Sequence, residues 1–138
     1  MGKYVIRPCE RVGNTKIPLF ALAIDDVCGI DEFEALIKKE GTYVNEIDSL
    51  YAIVEQTCNM LRVSKNNWKE LRLEKKIPYK VYEARSRNLR MYLIHEEKTG
   101  RVVIYGGKKT NQDSDIKRIK KMVTDIERTK LTIESKKK

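Results

Sequence analysis

Apolar and polar positions alternate most regularly between Tyr79 and Tyr105. YKVYEAR, LRMYLIHE and RVVIY predict three consecutive antiparallel strands, Tyr79–Arg85, Leu89–Glu96 and Arg101–Tyr105. Ser86-Arg87-Asn88 and Lys98-Thr99-Gly100 supply the turns between them. Upstream, apolar positions recur every three or four residues. Phe33, Leu36 and Ile37 predict a helix over Asp31–Lys39, with Asp31 as cap, Glu34 in capping-box position and Gly41 as its stop. Ile47, Leu50, Tyr51, Val54, Cys58 and Leu61 predict a second helix over Glu46–Arg62. The short loop between the two implies an antiparallel helical hairpin. A last helix, Ser114–Thr132, carries the stripe Ile116, Ile119, Val123 and Ile126, with Lys117, Arg118, Lys120, Lys121 and Arg128 facing outward.

The remaining segments are less patterned. Residues 2–9 read as a short edge strand with Pro8 near its end. Ile17–Ile24 is an unbroken apolar run that favours a buried strand. Trp68–Leu73 fits either an extension of the second helix or a strand, and Pro78 separates it from the central strands. The tail 134–138 reads as frayed. Together these elements predict a single α+β domain: an N-terminal helical hairpin on a twisted antiparallel sheet of four to five strands, with a basic C-terminal helix.

Composition adds a charge argument. The chain has 138 residues, enough to bury a core without staples, and a net charge of +9. Such an excess favours a polyanionic partner, nucleic acid or the ribosome. Cys9, Cys28 and Cys58 are odd in number and lack CxxC spacing, which argues against a zinc site and against a secreted disulfide framework. No signal-peptide pattern is seen, and the longest apolar run, PLFALAI, is too short to span a bilayer. The expected setting is the cytoplasm, with no metal and no cofactor.

Alternation sorts the cations of the central stretch. Arg90 and Tyr92 share one face of their strand; Leu89, Met91, Leu93 and His95 share the other, where the hairpin would sit. Tyr79, Val81, Glu83 and Arg85 lie on one face of the preceding strand and Lys80, Tyr82 and Ala84 on the other, so Lys80 and Arg85 join one site only through a bulge or if Arg85 already lies in the turn. Gly106 and Gly107 would let the chain leave the third strand and carry Lys108 and Lys109 beside the sheet. GGKKT lacks the GxxxxGK spacing of a P-loop. His95, the only histidine, suits a proton-transfer role by its ordinary pKa, and Tyr92 suits base stacking.

YKVYEARSRNLRMY, followed by VVIYGGKKTNQDSDI and a basic helix, resembles the RelE/ParE-like superfamily of bacterial toxins, in particular its RelE and HigB branches. The resemblance covers about residues 31–130 and makes residues 1–30 an addition to a small core. It implies a type II toxin: a metal-independent endoribonuclease that cleaves ribosome-bound mRNA, using the message's own 2′-hydroxyl, and that a cognate antitoxin neutralises within a joint oligomer. Such chemistry needs a base, cations for the phosphorane and an acid. By correspondence Lys80, Arg85, Arg90 and Lys109 take the catalytic positions. Tyr92, Lys108 and Arg87 take substrate-binding ones, with His95 a further candidate. Two positions depart from the family pattern. Tyr82 stands where a second lysine is common, and Asn111, Gln112, Asp113 and Asp115 stand where a tyrosine or histidine often follows the basic pair. Two other readings therefore stay open, a non-catalytic module that binds nucleic acid or protein, and a gyrase-directed toxin.

Overall fold

The computed structural model describes residues 4–73, 79–129 and 132–133. The chain opens with strands. Tyr4–Pro8 (β1) and Leu19–Ile24 (β2) pair antiparallel, from Tyr4 opposite Ile24 to Pro8 opposite Phe20. Asp25 and Asp26, at φ 52° and 69°, turn β2 tightly into Val27–Cys28 (β3). Two consecutive left-handed residues are what a two-residue hairpin of matching twist requires, and aspartate tolerates that region better than most side chains.

Helices α1 (Gly29–Glu40) and α2 (Val44–Cys58) follow. Asp31 is not the cap of α1. The helix begins two residues earlier, with Cys28 in the capping position, and Asp31 lies in its first turn, where a negative charge suits the helix dipole. Glu34 is likewise not a capping-box partner; it pairs with Arg11 and with Lys38 at 3.2 Å. Gly41, at φ 83°, ends α1 with its N–H donated to Ile37 O. The second helix stops at Cys58, before Leu61, which is exposed.

Trp68–Leu71 forms β4, an edge strand rather than more helix. Strands β5 (Lys80–Arg85), β6 (Leu89–Glu96) and β7 (Gly100–Lys108) form the expected meander. After a 3₁₀ turn at Lys109–Asn111 comes α3 (Gln112–Thr129), and Thr132–Ile133 (β8) pairs parallel with β1. Pro78 and the tail 134–138 lie outside the described residues.

The expected sheet of four to five antiparallel strands is therefore wrong, and so is the placing of the helical pair at the head of the fold. Seven strands run in the order β4-β5-β6-β7-β2-β1-β8, with β3 attached to β2. The sheet is mixed, because β2 lies parallel to β7 through Leu19–Arg101, Phe20–Val102 and Ala21–Val103. Residues 4–28 are not an appendage to a core of 31–130; β2 is an interior strand of the sheet. The physical reason is burial on both faces. Leu19 and Ala21 point to the side of α1 and α2, while Leu22 points to the side of α3, which is why the run is continuously apolar.

Each face of the sheet carries its own core. Ile30, Phe33 and Ile37 of α1 and Ile47, Leu50, Val54 and Cys58 of α2 pack on Leu89, Met91, Leu93 and Val103. Ile119, Val123 and Ile126 of α3 pack on Val81, Tyr92, Ile94, Val102 and Ile104. The face of Arg90 and Tyr92 is thus covered by α3 and not left open. Tyr92 opposes Tyr105 whereas Leu93 opposes Val103, so Ile104 is an extra residue in β7. The bulge lets Ile104 and Tyr105 both face α3. No bulge interrupts the pairing of β5 with β6.

Gly106 and Gly107 do not release the chain from the strand. Both lie inside β7, without positive φ, paired with Met91 and Arg90. They serve close approach. A Cβ on Gly106 would lie 2.4 Å from Phe33 Cδ2 of α1, and one on Gly107 would lie 2.0 Å from Asp115 Oδ2 of α3. The two missing side chains let a helix settle onto each face of the same strand.

Candidate nucleic-acid interface

The anticipated cations divide between two ends of the sheet. Arg85 faces Arg90 across β5 and β6, Arg87 occupies the turn joining those strands, and Lys108 faces Leu89. The Lys109 N–H donates to Asn88 O at 2.8 Å, which brings that lysine to the same rim. Lys80 pairs with His95 at the opposite end. Five residues of strand separate Lys80 from Arg85, about 17 Å at the usual rise. The structure therefore brings Arg85, Arg87, Arg90, Lys108 and Lys109 together and sets Lys80 and His95 apart from them.

Most of the rim cations are committed to the protein itself. Arg85 Nε donates to Glu83 Oε1 at 2.6 Å, and Gln112 Nε2 donates to the other oxygen of Glu83 at 2.7 Å. Glu83 is fully buried, so this pair of donors is what makes its charge tolerable. Arg90 is 7% exposed and its Nη1 donates to the carbonyls of Ser86 (2.7 Å) and Leu89 (2.9 Å), pinning the turn from within. Lys108 Nζ lies 2.7 Å from Glu40 of α1. Arg87 and Lys109 are exposed and make no ion pair among the described residues.

Tyr92 is wholly buried, so its ring offers no face to a base. Burial pushes its hydroxyl pKa up, and the carboxylates of Glu83 and Asp115 push it further. Asp115, seated above Gly107, is also buried, and loss of hydration raises its carboxyl pKa against the opposing pull of Arg118. Among the described residues Arg90 Nε and Asp115 Oδ2 have no hydrogen-bond partner, whereas the Tyr92 hydroxyl is directed to the Glu83 carboxylate. Glu46 of α2 holds the outer side of the same turn. It accepts from Ser86 Oγ, from the Asn88 N–H at 2.8 Å and from Asn88 Nδ2 at 2.8 Å. Burial works to raise its pKa, but these hydrogen bonds outweigh it and hold the carboxyl below its usual range.

Sequence reasoning missed Glu83, Glu46, Gln112 and Asp115 as parts of this end. Only Glu83 left a signal, by alternating onto the face of Arg85. The contributions of α2 and α3 depend on helix docking that no local pattern specifies.

A compact set of exposed cations lies on α3. Lys117, Arg118, Lys120 and Lys121 are all exposed and make no ion pair among the described residues. Their spacing places them on the surface opposite Ile119, Val123 and Ile126. Arg118 leans over the Tyr105 ring at 5.5 Å from its centroid. The 3₁₀ turn Lys109–Asn111 leads from the rim into the start of α3.

Among the described residues no group of three His, Cys, Asp or Glu side chains is disposed to hold a metal ion, and no helix is long and apolar enough to cross a membrane. No family model, curated protein or solved structure matches this chain, so its functional reading rests on the arrangement of its own residues.

Proposed function

We propose that the chain binds RNA along the outer surface of α3, with Lys117, Arg118, Lys120 and Lys121 holding phosphates and with Lys109 and Arg87 extending the path over the rim of the sheet. The observation that carries this reading is four exposed cations within five positions of one helix, unpaired with any described carboxylate. A solvated helix face usually mixes signs; between Lys117 and Lys121 every exposed side chain of this one is a cation, with Asp113 one turn before them. The net charge of +9 supports a polyanion as partner.

The test is anisotropy of a labelled single-stranded RNA at several salt concentrations, with the wild type and a Lys117→Gln/Lys120→Gln/Lys121→Gln variant. Each phosphate contact contributes roughly 0.7 to the slope of log affinity against log salt. The triple variant is expected to lower that slope by about 2. An unchanged slope would remove α3 from the interface.

A second reading, cleavage of ribosome-bound mRNA by a toxin, is favoured by the gathering of Arg85, Arg87, Arg90 and Lys109 around one turn, where cations could neutralise a phosphorane. Its weakness is proton transfer, since Glu83, Tyr92 and Asp115 at that end are all buried. Induced expression beside an Arg87→Ala/Lys109→Ala variant, with mapping of cellular 5′ ends, decides it. Growth arrest with new cuts in translated messages, lost in the variant, is the expected signature. Undisturbed messages at confirmed expression leave RNA binding as the activity.

A further inference from the structure

The opposite face of the sheet carries a second arrangement that the α3 surface does not use. Trp68 on edge strand β4 and Tyr82 on β5 stack with ring centroids 4.9 Å apart and planes 21° from parallel. Arg101 starts from β7, two strands over, and its guanidinium carbon lies 5.2 Å from the centroid of each ring. Lys80, His95 and Arg101 form one row across β5, β6 and β7. We propose that this cluster is a stacking site for a base of single-stranded RNA, with the partly buried Trp68 and Tyr82 rings receiving the base and Lys80 receiving its phosphate.

Three observations point to that chemistry. Aromatic rings with a guanidinium beside them are a platform on which any nucleobase gains stacking and cation–π energy. The Arg101 guanidinium also hydrogen-bonds the Cys58 thiol of α2, and its Nη1 is buried, so the group is fixed beside the rings and strengthens stacking without itself contacting the base. Finally, the row itself is cationic. Lys80 is exposed and makes no ion pair among the described residues. Burial, and then Arg101 and Lys80, depress the pKa of His95 against the opposing pull of Glu97 and Glu96 at the end of the strand. Its neutral Nδ1 can accept from Arg101 Nε at 3.4 Å, the long end of a hydrogen bond. Glu70, opposite Tyr82, is the acidic residue on this face of β4 and is exposed and unpaired among the described residues.

The inference stands apart from the α3 reading, since β4 and α3 present different faces and edges. Trp68 is the sole tryptophan of the chain, so its fluorescence reports on this cluster alone. The full chain is titrated with a ten-residue oligouridylate, with an abasic ribose-phosphate oligomer of equal length, and with uridine monophosphate. Quenching by oligouridylate and not by the abasic oligomer is expected. Binding should weaken roughly tenfold in Tyr82→Leu, as loss of one stacked base implies, and weaken measurably in Lys80→Ala, whose exposed side chain is dispensable for folding. Glu70→Gln should tighten it. Equal quenching by the abasic oligomer, or no quenching with Lys80→Ala and Glu70→Gln unchanged in affinity, would overturn the proposal and leave a cation–π cluster that seals the core. Saturation by the mononucleotide as tight as by the ten-residue strand would overturn RNA as the source of the base.

Discussion

Replacing Gly106 by alanine tests how the two layers of helix reach the sheet. In an ordinary strand the change is mildly favourable, by about 0.5–1 kcal/mol, because the unfolded chain loses freedom. Here the new methyl would sit 2.4 Å from Phe33 Cδ2, 2.8 Å from Cγ and 2.9 Å from Cε2. Carbon pairs settle at roughly 3.5–4.0 Å, so the ring or the strand must retreat by about 1 Å. The near side of the ring cannot turn aside like the tip of a lysine, and Ile30 and Ile37 on the same helix are buried at 2% and 0% exposure. Overpacking of this sort costs about 1–3 kcal/mol, leaving a net loss of about 1–2 kcal/mol. Urea unfolding should show a lower midpoint at unchanged slope, and thermal unfolding a drop of roughly 4–8 °C. The refuting experiment is the double-mutant cycle with Phe33→Leu. Because the shorter side chain vacates the clashing space, the two changes together should cost less than their sum, by at least about 0.5 kcal/mol. Strict additivity, or a Gly106→Ala variant as stable as wild type, would show that Phe33 does not set the spacing of α1 from β7.

Asp115→Asn should stabilise the fold at neutral pH by about 1 kcal/mol, the low end of what an unsatisfied buried polar group costs. A carboxyl whose folded pKa is raised contributes stability below its unfolded pKa and loses it as pH climbs through the folded value. The advantage of the asparagine, read from melting temperature against pH, should therefore shrink toward acid; an advantage that grows toward acid would refute the assignment. Glu46→Ala should cost about 1–2 kcal/mol by freeing Ser86 and Asn88, discounted for partial exposure. The folded pKa of Glu46 is depressed, so its contribution is present above the unfolded value and fades as pH falls through the folded one; chemical denaturation at neutral and at acid pH should show the variant and wild type converging. Asp26→Gly should stabilise by roughly 0.5–1 kcal/mol through relief of the left-handed turn, with little lost from the exposed pair to Arg7 at 3.2 Å. A lower denaturation midpoint would show that the ion pair outweighs the backbone.

What the sequence made legible is local. The alternation in YKVYEAR and LRMYLIHE gave strands β5 and β6 and the correct sharing of faces, including Lys80 opposed to Arg85. The stripes of three and four gave α1, α2 and α3. Trp68–Leu71 stayed ambiguous because four residues cannot distinguish a strand from one turn of helix, and only pairing with β5 resolves it. The parallel union of β2 with β7 left no local trace, and neither did the docking of α3 over Arg90 and Tyr92. At the candidate interface the same limit applies. Residue type marked the cations, whereas Glu83, Glu46 and Gln112, which decide which of them are already engaged, arrive from elements far apart in the chain.

The parallel seam between β2 and β7 also sets an order of assembly. Leu19 is synthesised early, but its partner Arg101 follows only after both helices of one layer and the whole β5–β6 hairpin. Until then the run Leu19–Ile24 has only β1 and β3 to shield it, a small ribbon with two apolar faces. Loop closure across so much chain is slow, and the wait leaves an aggregation-prone strand edge uncovered. On the ribosome the nascent chain would carry this edge as an exposed liability until β7 emerges, which makes β7 the closing element that turns a sticky intermediate into a covered sheet.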